Sequence, residues 1–494
     1  MILSIVNVAD LSRLVGELRH LGGCVPHHAE RFSSRLLGFW ALAVAGLPAA
    51  GSALELGMPF ADNAVFQQQI PVPVWGTSRP GAEVTVTFGA QTKTSTANQN
   101  GKWRVTLDPL PANKLASVNE APAGIGLTVS AGAAGTIETK TINNILIGEV
   151  WLCSGQSNMA GRMGGAAGRT LPDGSVLTGD YPALRQMVSP STGPWLVCTP
   201  ETVGQFKKVC FYFARRLQQD ILVPVGIVNA AVGGSTIETW LNQVPYERGG
   251  NYETQIAPLA GYGLRGVVWY QGESNEKDGR AYLPKLRSLI LGWREAWGQG
   301  DFPLYFVQLP AIGTSRDDNP AGGDGRAEIR QAQFEALALP NTGMSVAIDI
   351  GDLREHPPNK CDTGVRLARW ALHRDYAKKD LVPSGPLYRS CKIGGDKIRV
   401  SFDYAQNGLM LARKDGFAPP VPTPGAAVPW LSIQAKDGTW HWAEGVIDGT
   451  DLLVSCKDVR DPVAVRYAYT NFPAGFNLYN KDGLPASPFS SCGY

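Results

Sequence analysis

A serine stands directly after an apolar segment and a tight turn in the first third of the chain. The segment Ile145 to Cys153 has β character, and Ser154-Gly155 ends it just before Ser157. Glycine at position 155 permits a tight turn that a side chain would obstruct. In open α/β sheets, ligands bind at the carboxyl ends of the strands. We therefore predict that Ser157 is a nucleophile, with a simple polar turn as the alternative.

A serine hydroxyl needs a neighbouring base to act as a nucleophile, and histidine is the usual one. The chain has six histidines, three of them before residue 30. Of the others, His373 lies in a predicted helix and His441 lies in a C-terminal zone of β character. His356 lies on a loop at the carboxyl end of a predicted strand, as Ser157 does. This elimination predicts His356 as the base.

Acyl transfer also needs hydrogen-bond donors for the oxyanion of the tetrahedral intermediate. Gly233 and Gly234 follow a predicted strand, and their backbone could approach a substrate closely. Gln271 and Asn275 follow the next predicted strand and carry side-chain amides. Either segment alone is also typical of a turn. Four polar segments that each end a strand of one sheet favour a single active site.

The elements that must position these residues form three zones. From Glu55 to about Asn144, short alternating runs between Pro, Gly and Asn-Gly predict antiparallel β structure, as in a small sandwich. From residue 145 to about 379, strands alternate with helices, which predicts a mostly parallel sheet covered on both faces. From about residue 381 onward β runs return. The predicted strands of the middle zone are Ile145 to Cys153, Val223 to Ala230, Leu264 to Tyr270, Pro303 to Leu309 and Met344 to Ile350.

Helical spacing of apolar residues lies between or after these strands. It covers Val203 to Leu217 and Leu286 to Trp293, with recurrence at i, i+3 and i+4. A further helix is predicted over Gly364 to Tyr376, and Asp362 is well placed to cap it.

The N-terminus has the features of an export signal. Arg31 and Arg35 precede the apolar stretch Leu36 to Ala50, which is too short to span a bilayer comfortably. Small residues at positions 50–53 form a cleavage site. We predict an exported protein, periplasmic or secreted, with no stable membrane insertion after the leader is cleaved; an uncleaved signal anchor is the alternative.

The charge composition gives no support to several classes of partner. The net charge is +2 with no long basic or acidic run, which gives no support to nucleic acid or an anionic membrane as a partner. Neither a Cys-x-x-Cys nor a His-Glu-x-x-His pattern occurs, so a metal site has no support from the sequence. Cleavage of the leader leaves seven cysteines, an odd number, so at least one stays unpaired. We predict one disulfide, Cys391 with Cys456 or Cys492.

Four motifs occur in order along the middle zone. They are Gly-Glu149-Val-Trp-Leu-Cys-Ser-Gly-Gln-Ser-Asn-Met, Gly-Gly-Ser235-Thr-Ile-Glu-Thr-Trp, Trp-Tyr-Gln-Gly-Glu273-Ser-Asn and His356-Pro-Pro-Asn-Lys. In wording, order and spacing they resemble the sialate O-acetylesterase family of SGNH-type hydrolases. Val72-Pro-Val-Trp-Gly and Phe472-Pro-Ala-Gly-Phe-Asn-Leu-Tyr-Asn-Lys-Asp-Gly-Leu-Pro resemble that family's flanking β regions. The resemblance thus covers most of the chain from about Leu56.

The resemblance implies an α/β fold, a flavodoxin-like three-layer α/β/α core with β-rich domains on either side. The corresponding domain prediction is a leader at 1–53, an N-terminal β domain at 54–144, an SGNH-type esterase domain at 145–380 and a C-terminal β-rich domain at 381–494. The implied chemistry is removal of O-acetyl groups from sugars without a metal or organic cofactor. Residue 159 is methionine, so the motif is not the Gly-x-Ser-x-Gly elbow of α/β-hydrolases.

The resemblance also implies roles for individual residues. Ser157 is the implied nucleophile and His356 the implied base. The implied oxyanion donors are the Ser157 amide, a glycine at 233 or 234, and Asn275 or Gln271.

The acid of a catalytic triad is less easily placed. The family usually carries an aspartate two or three residues before its histidine, where this chain has Arg354 and Leu353. Asp352 lies four residues before the histidine and is our first choice. Glu355 is the second choice, and a bare Ser-His dyad is the third.

The predicted substrate is an acetylated sugar or glycan, with O-acetylated sialic acid first. Gln156, Arg162 and Glu273 are the predicted substrate contacts. Sialic acid carries a carboxylate, which Arg162 could pair with. Acetylated xylan or another hemicellulose is the alternative substrate, and a non-catalytic carbohydrate-binding relative is the alternative from a different class.

Overall fold

The computed structural model describes residues 53–492, except residues 134, 166, 172–173 and 316–317. The described chain belongs to one compact unit, residues 52–494. The predicted leader lies outside the described residues apart from its last position, so its cleavage stays a prediction. None of the helices in the described ranges combines the length and the apolar character that a membrane span requires.

The N-terminal zone is antiparallel, as its alternating residues predict, except that β2 pairs in parallel with β8. Strand β3 lies between β1 and β6, and β4 lies between β5 and β7, which in turn pairs with β8. The strands are β1 (Glu55–Leu56), β2 (Val65–Gln67), β3 (Val72–Thr77), β4 (Glu83–Phe88), β5 (Gln91–Thr96), β6 (Lys102–Leu107) and β7 (Ile125–Ala133).

Strand β8 (Thr136–Gly155) joins this zone to a central sheet. Its first half pairs antiparallel with β7. It then pairs in parallel with β11 from Glu149 onward and with β12 from Trp151 onward. Every residue from Ile145 to Gly155 is buried, as expected for a strand inside a parallel sheet. The predicted domain boundary at 144/145 falls within this strand, so the division into three domains remains a proposal.

The central sheet has the order β10-β9-β11-β8-β12-β13-β14. All neighbouring pairs are parallel except β10 with β9 at one edge. The strands after β8 are β9 (Tyr181–Val188), β10 (Leu196–Cys198), β11 (Val225–Ala231), β12 (Gly266–Tyr270), β13 (Leu304–Gln308) and β14 (Thr342–Val346). The prediction of a mixed α/β architecture is confirmed.

The chain changes direction across β8, with β11 on one side of it and β12 on the other. Open α/β sheets bind ligands at such a switch point. Gly155 is level with Ala231 on one neighbour and with Tyr270 on the other. The segments that follow these three strands therefore begin side by side.

Within the described residues, five α-helices and several shorter helical segments connect the strands. The α-helices are α1 (Ser157–Ala160), α2 (Lys208–Ile221), α3 (Tyr282–Trp297), α4 (Ala327–Glu335) and α5 (Lys360–Asp375). The 3₁₀ segments are Val203–Gln205, Ile237–Trp240, Ala257–Leu259, Glu273–Ala281, Ala336–Ala338 and Ile348–Ile350, and Tyr252–Ile256 is a π-helix. Helix α2 packs on α5, and α3 packs on α4.

Helix α5 begins four residues earlier than predicted. Its N-cap is Asn359, whose side-chain oxygen accepts the Asp362 backbone N–H at 3.0 Å. Asp362 therefore lies in the first turn, and the prediction that it caps the helix is wrong. The earlier start places Lys360 at the first helical position, close behind His356.

The C-terminal zone is again antiparallel, in sheets of order β15-β16-β22-β21, β18-β17-β24 and β20-β19-β23-β25. Its strands are β15 (Leu387–Gly394), β16 (Lys397–Asp403), β17 (Leu409–Arg413), β18 (Val421–Pro422), β19 (Leu431–Ala435), β20 (Trp440–Trp442), β21 (Glu444–Asp448), β22 (Asp451–Ser455), β23 (Pro462–Tyr467), β24 (Leu478–Asn480) and β25 (Phe489–Ser490). Cys391, Cys456 and Cys492 are free thiols. The predicted disulfide between Cys391 and one of the other two is not formed.

Candidate active site

Ser157 is held at the carboxyl end of the central strand by a turn that requires glycine. Gly155 has φ +134°, and a β-carbon there would collide with the carbonyl oxygen of Tyr270. The Gln156 N–H donates to the same carbonyl at 3.0 Å. Ser157 then begins helix α1. The predicted strand–turn arrangement around the serine is present.

His356 lies against Ser157. Its Nε2 is 2.8 Å from Ser157 Oγ, although 199 residues separate them along the chain. This separation suits a nucleophile and its base. His373 instead bonds the Leu381 carbonyl through Nδ1 at 2.9 Å, and His441 bonds Thr439 Oγ1 at 3.1 Å.

The two carboxylates predicted as triad acids have other partners. Asp352 accepts from the Arg354 backbone N–H at 3.3 Å and from its guanidinium at 2.9 Å. These hydrogen bonds lower the pKa of Asp352. Glu355 forms an ion pair with buried Arg326. Within the described part of the chain, neither carboxylate is hydrogen-bonded to His356.

This arrangement does not support our first choice of acid. Arg354, two residues beyond Asp352, folds back and occupies its oxygens. The second choice, Glu355, is turned toward Arg326 instead of the ring. These contacts favour the Ser-His dyad, our third choice.

Gly233 is the predicted oxyanion glycine that lies beside the serine. A β-carbon on Gly233 would be 3.7 Å from the Ser157 β-carbon, an ordinary contact. Gly234 has φ +71° and open space on its β-carbon side. Neither the Ser157 N–H nor the Gly233 N–H donates to an acceptor within the described residues.

The side-chain amides predicted as oxyanion donors are engaged elsewhere. The Gln271 amide donates to the Ser235 carbonyl at 3.2 Å and to Asn275 Oδ1 at 2.7 Å. The Asn275 amide donates to Glu238 at 3.0 Å and to Asp278 at 2.8 Å. A side-chain amide has two N–H donors, and both are used in each case. The two residues tie the loop after β11 to the loop after β12, and in this structure neither amide has an N–H left for an oxyanion.

The predicted substrate contacts divide into buried and exposed residues. Gln156 is buried, and its side-chain oxygen accepts the Ser274 N–H at 3.2 Å. Glu273 is also buried, and burial raises its pKa. Arg162 is exposed, five residues after Ser157. Arg162 alone of the three is exposed to solvent.

Two residues that the sequence argument missed form a buried polar network behind the pair. The Asn158 amide donates to Glu273 at 2.5 Å and to the Glu355 carbonyl at 3.2 Å. Lys360 Nζ donates to Asn158 Oδ1 at 2.6 Å and to the Pro357 carbonyl at 2.7 Å. Burial lowers the pKa of Lys360 to about 8. Both residues lie inside the quoted motifs: Asn158 directly follows Ser157, and Lys360 is four residues after His356. Their place in these motifs was the sequence signal that could have identified them.

Comparison with known proteins agrees with the quoted motifs. Residues 147–372 match the family model described as carbohydrate esterase, sialic acid-specific acetylesterase. Sialate O-acetylesterases of Pongo abelii and Homo sapiens are each 29% identical, over 88% of this chain and 92% of theirs. The chain belongs to the sialate O-acetylesterase family. A carbohydrate acetylesterase structure from Xanthomonas citri matches with TM-score 0.77 and 32% identity, over 90% of this chain and all of that one.

Membership of the sialate O-acetylesterase family fixes the coarse activity. The protein is a carboxylic ester hydrolase, and its substrates are acetylated carbohydrates. The carbohydrate esterase model begins at β8 and ends within α5, so it contains Ser157, His356 and the loops between them.

Proposed function

We propose that this chain is an exported serine esterase that removes O-acetyl groups from sialic acid through an acetyl-serine intermediate. Ser157 is the nucleophile and His356 the base. The observation that carries the proposal is the 2.8 Å contact between Ser157 Oγ and His356 Nε2. Such a contact is what a serine needs to lose its proton as it attacks.

The mechanism has two halves. Ser157 Oγ attacks the acetyl carbonyl while His356 Nε2 takes the hydroxyl proton. The oxyanion accepts from the backbone N–H groups of Ser157 and Gly233. Collapse breaks the ester bond, and His356 returns the proton to the departing sugar oxygen. Water, deprotonated by His356, then attacks the acetyl-serine and releases acetate and the free serine.

We assign no carboxylate to this mechanism. Asp352 and Glu355 are paired with arginines, which supports a dyad over a triad. The non-catalytic alternative is disfavoured because the contact of Ser157 with His356 is intact and two backbone donors beside the serine are unused.

Ser157→Ala tests the nucleophile. We expect kcat for acetate release to fall by at least ~10³, because the covalent route is lost while binding and the oxyanion donors remain. Ser154→Ala is the matched control: its hydroxyl belongs to the same strand end and donates to the Ala230 carbonyl, away from His356. Retention of more than a tenth of the activity in Ser157→Ala would reject this nucleophile.

The sialate substrate is supported by the names of the relatives and by the exposure of Arg162. Arg162→Gln should raise KM for O-acetylated sialic acid and leave KM for neutral acetylated xylan unchanged. An equal change for both would argue against a carboxylate contact. A preference of the wild-type enzyme for acetylated xylan would favour the hemicellulose alternative.

Export, domain division and layering complete the proposal. We infer a leader at 1–53 followed by β, esterase and β-rich domains with boundaries at 144 and 380. We also infer that the central sheet and its helices form the three-layer core of SGNH hydrolases. Expression of the full chain, followed by N-terminal sequencing of the protein recovered outside the cytoplasm, tests the leader; an intact N-terminus there would contradict cleavage.

A further inference from the structure

His356 is exposed on its loop, yet buried side chains hydrogen-bond to the backbone of the residues on both sides of it. The carbonyl before it, of Glu355, accepts from Asn158 at 3.2 Å. The carbonyl of the following residue, Pro357, accepts from Lys360 at 2.7 Å. Asn158 and Lys360 are themselves joined at 2.6 Å. One connected pair of side chains therefore holds the carbonyls of the two residues that flank the base, Glu355 and Pro357.

We propose that Asn158 and Lys360 are positioning residues that orient His356 toward Ser157 through these two carbonyls, in place of a triad carboxylate. The proposal rests on the proposed roles of Ser157 and His356. It assigns to the two residues a contribution to the rate and not to substrate binding. We refer to Asn158 and Lys360 together as the carbonyl clamp.

The chemistry of its neighbours fixes the orientation of the clamp. Lysine can only donate, so the Asn158 oxygen must face Lys360. The Asn158 amide must then face Glu273, which accepts at 2.5 Å. The same amide group also supplies the N–H for the Glu355 carbonyl. A side chain with an amide at this position is needed, because a carboxylate would face two acceptors.

Burial makes the clamp rigid. Asn158 is 1% exposed and Lys360 is 7% exposed, and Lys360 Nζ lies over the Tyr270 ring at 5.6 Å. Leaving a buried donor or acceptor without its partner is costly, so these contacts resist opening. Proline at 357 also restricts φ in the loop. The base is thus kept near its working position although its ring is open to solvent.

Asn158→Asp removes the donor to the Glu355 carbonyl and keeps the acceptor for Lys360. We expect kcat to fall about 10²-fold, the effect of misplacing a reacting group by about 1 Å, with KM within about threefold of wild type because the clamp does not touch substrate. A kcat within threefold of wild type would overturn the proposal.

A donor swap separates positioning from mere packing. In Asn158→Asp/Glu273→Gln, the glutamine amide can donate to the new aspartate, so the contact between these two side chains is restored. The Glu355 carbonyl still lacks its donor. We expect the melting temperature to recover while kcat stays low. Recovery of kcat together with the melting temperature would show that Asn158 acts only through Glu273 and would reject the clamp.

Lys360→Met tests the other half and keeps the proposal open to refutation if Asn158→Asp does not fold. We expect a similar loss of kcat. The rate at which an alkyl phosphonate inactivates Ser157 should fall in parallel, since that reaction needs the same base. Titration with the phosphonate counts the folded active sites, so kcat refers to those alone. Unchanged inactivation in Lys360→Met would contradict the clamp.

A matched control and a separate arm complete the design. Asn480 is a buried asparagine in the C-terminal zone whose amide also holds two carbonyls, at 3.0 and 2.9 Å. Asn480→Asp should lower the melting temperature and leave kcat per active site unchanged. Full activity in Ser157→Ala would reject the proposed function itself. An inactive Ser157→Ala with a normal Asn158→Asp would reject the clamp alone.

Discussion

Replacing Asp352 with asparagine distinguishes a catalytic dyad from a triad in this esterase. In a serine-protease triad the acid holds the histidine tautomer, and its amide replacement lowers kcat about 10⁴-fold. Here the Asp352 carboxylate accepts from Arg354 instead. The Arg354 side chain is 71% exposed, and exposed ion pairs contribute little to stability. Because the Asp352 carboxylate is not hydrogen-bonded to His356, we expect kcat of Asp352→Asn to stay within about fivefold of wild type.

The assay is the initial rate of acetate release, with a buried acid of the same segment as a contrast. Asp349 makes two hydrogen bonds to Arg366, at 2.7 and 2.8 Å, and both side chains are buried. Asp349→Asn should destabilise the fold by about 3–5 kcal/mol, because it removes the buried counter-charge of the Arg366 guanidinium and leaves only the more distant Asp362, at 3.8 Å. Asp352→Asn should melt as the wild type does. A loss of 10³-fold or more in kcat, with unchanged melting, would restore Asp352 as a triad acid and refute the dyad.

Four further substitutions test the rest of the site. His356→Ala should lower kcat about as much as loss of the nucleophile, since such residues act as a unit, whereas His373→Ala should keep near-normal kcat; collapse of the latter in a folded protein would reverse the assignment. Gly155→Ala should lower the melting temperature and the fraction of titratable sites, because its backbone has φ +134° and a β-carbon would strike Tyr270; wild-type values for both would contradict the turn geometry. Asn275→Ala should reduce stability but change kcat per active site less than tenfold, against the 10²–10³-fold expected for loss of an oxyanion donor.

The positions of the candidate site residues along the chain were predictable because these residues directly follow strands. An apolar run, a glycine and a polar residue specify a strand, a turn and a displayed side chain without knowledge of any partner. Ser157 and His356 could therefore be predicted separately, and parallel strands place their carboxyl ends at one edge. Gly233 follows by the same reasoning from β11.

The partners of the polar side chains could not be predicted in this way. Gln271, Asn275 and Asp352 have the right chemistry and the right position along the chain for the roles we predicted. Whether an amide or a carboxylate is available depends on what lies across the loop, such as Glu238 or Arg354. Such contacts are set by the approach of segments far apart in sequence, which local periodicity does not describe.

Element boundaries show the same limit. Strand β9 (Tyr181–Val188) was not predicted, because Pro182 and Arg185 interrupt its apolar pattern. Arg185 is nevertheless buried, with its guanidinium on the Asn144 carbonyl. A tertiary contact thus accommodates a charge that single-sequence reasoning assigns to the surface.

Hydrogen bonds to the backbone position Ser157 and His356. Gly155 closes the turn before Ser157 against Tyr270, and its own carbonyl accepts the Val232 N–H at 3.0 Å. Main-chain contacts from the segments on both sides of β8 thus converge at the turn. The loop of His356 is also held through its backbone, although there the donors are the side chains of Asn158 and Lys360. Substitutions that disturb these main-chain contacts should therefore lower the rate more than loss of Asp352, the acidic side chain that chemical analogy selects first.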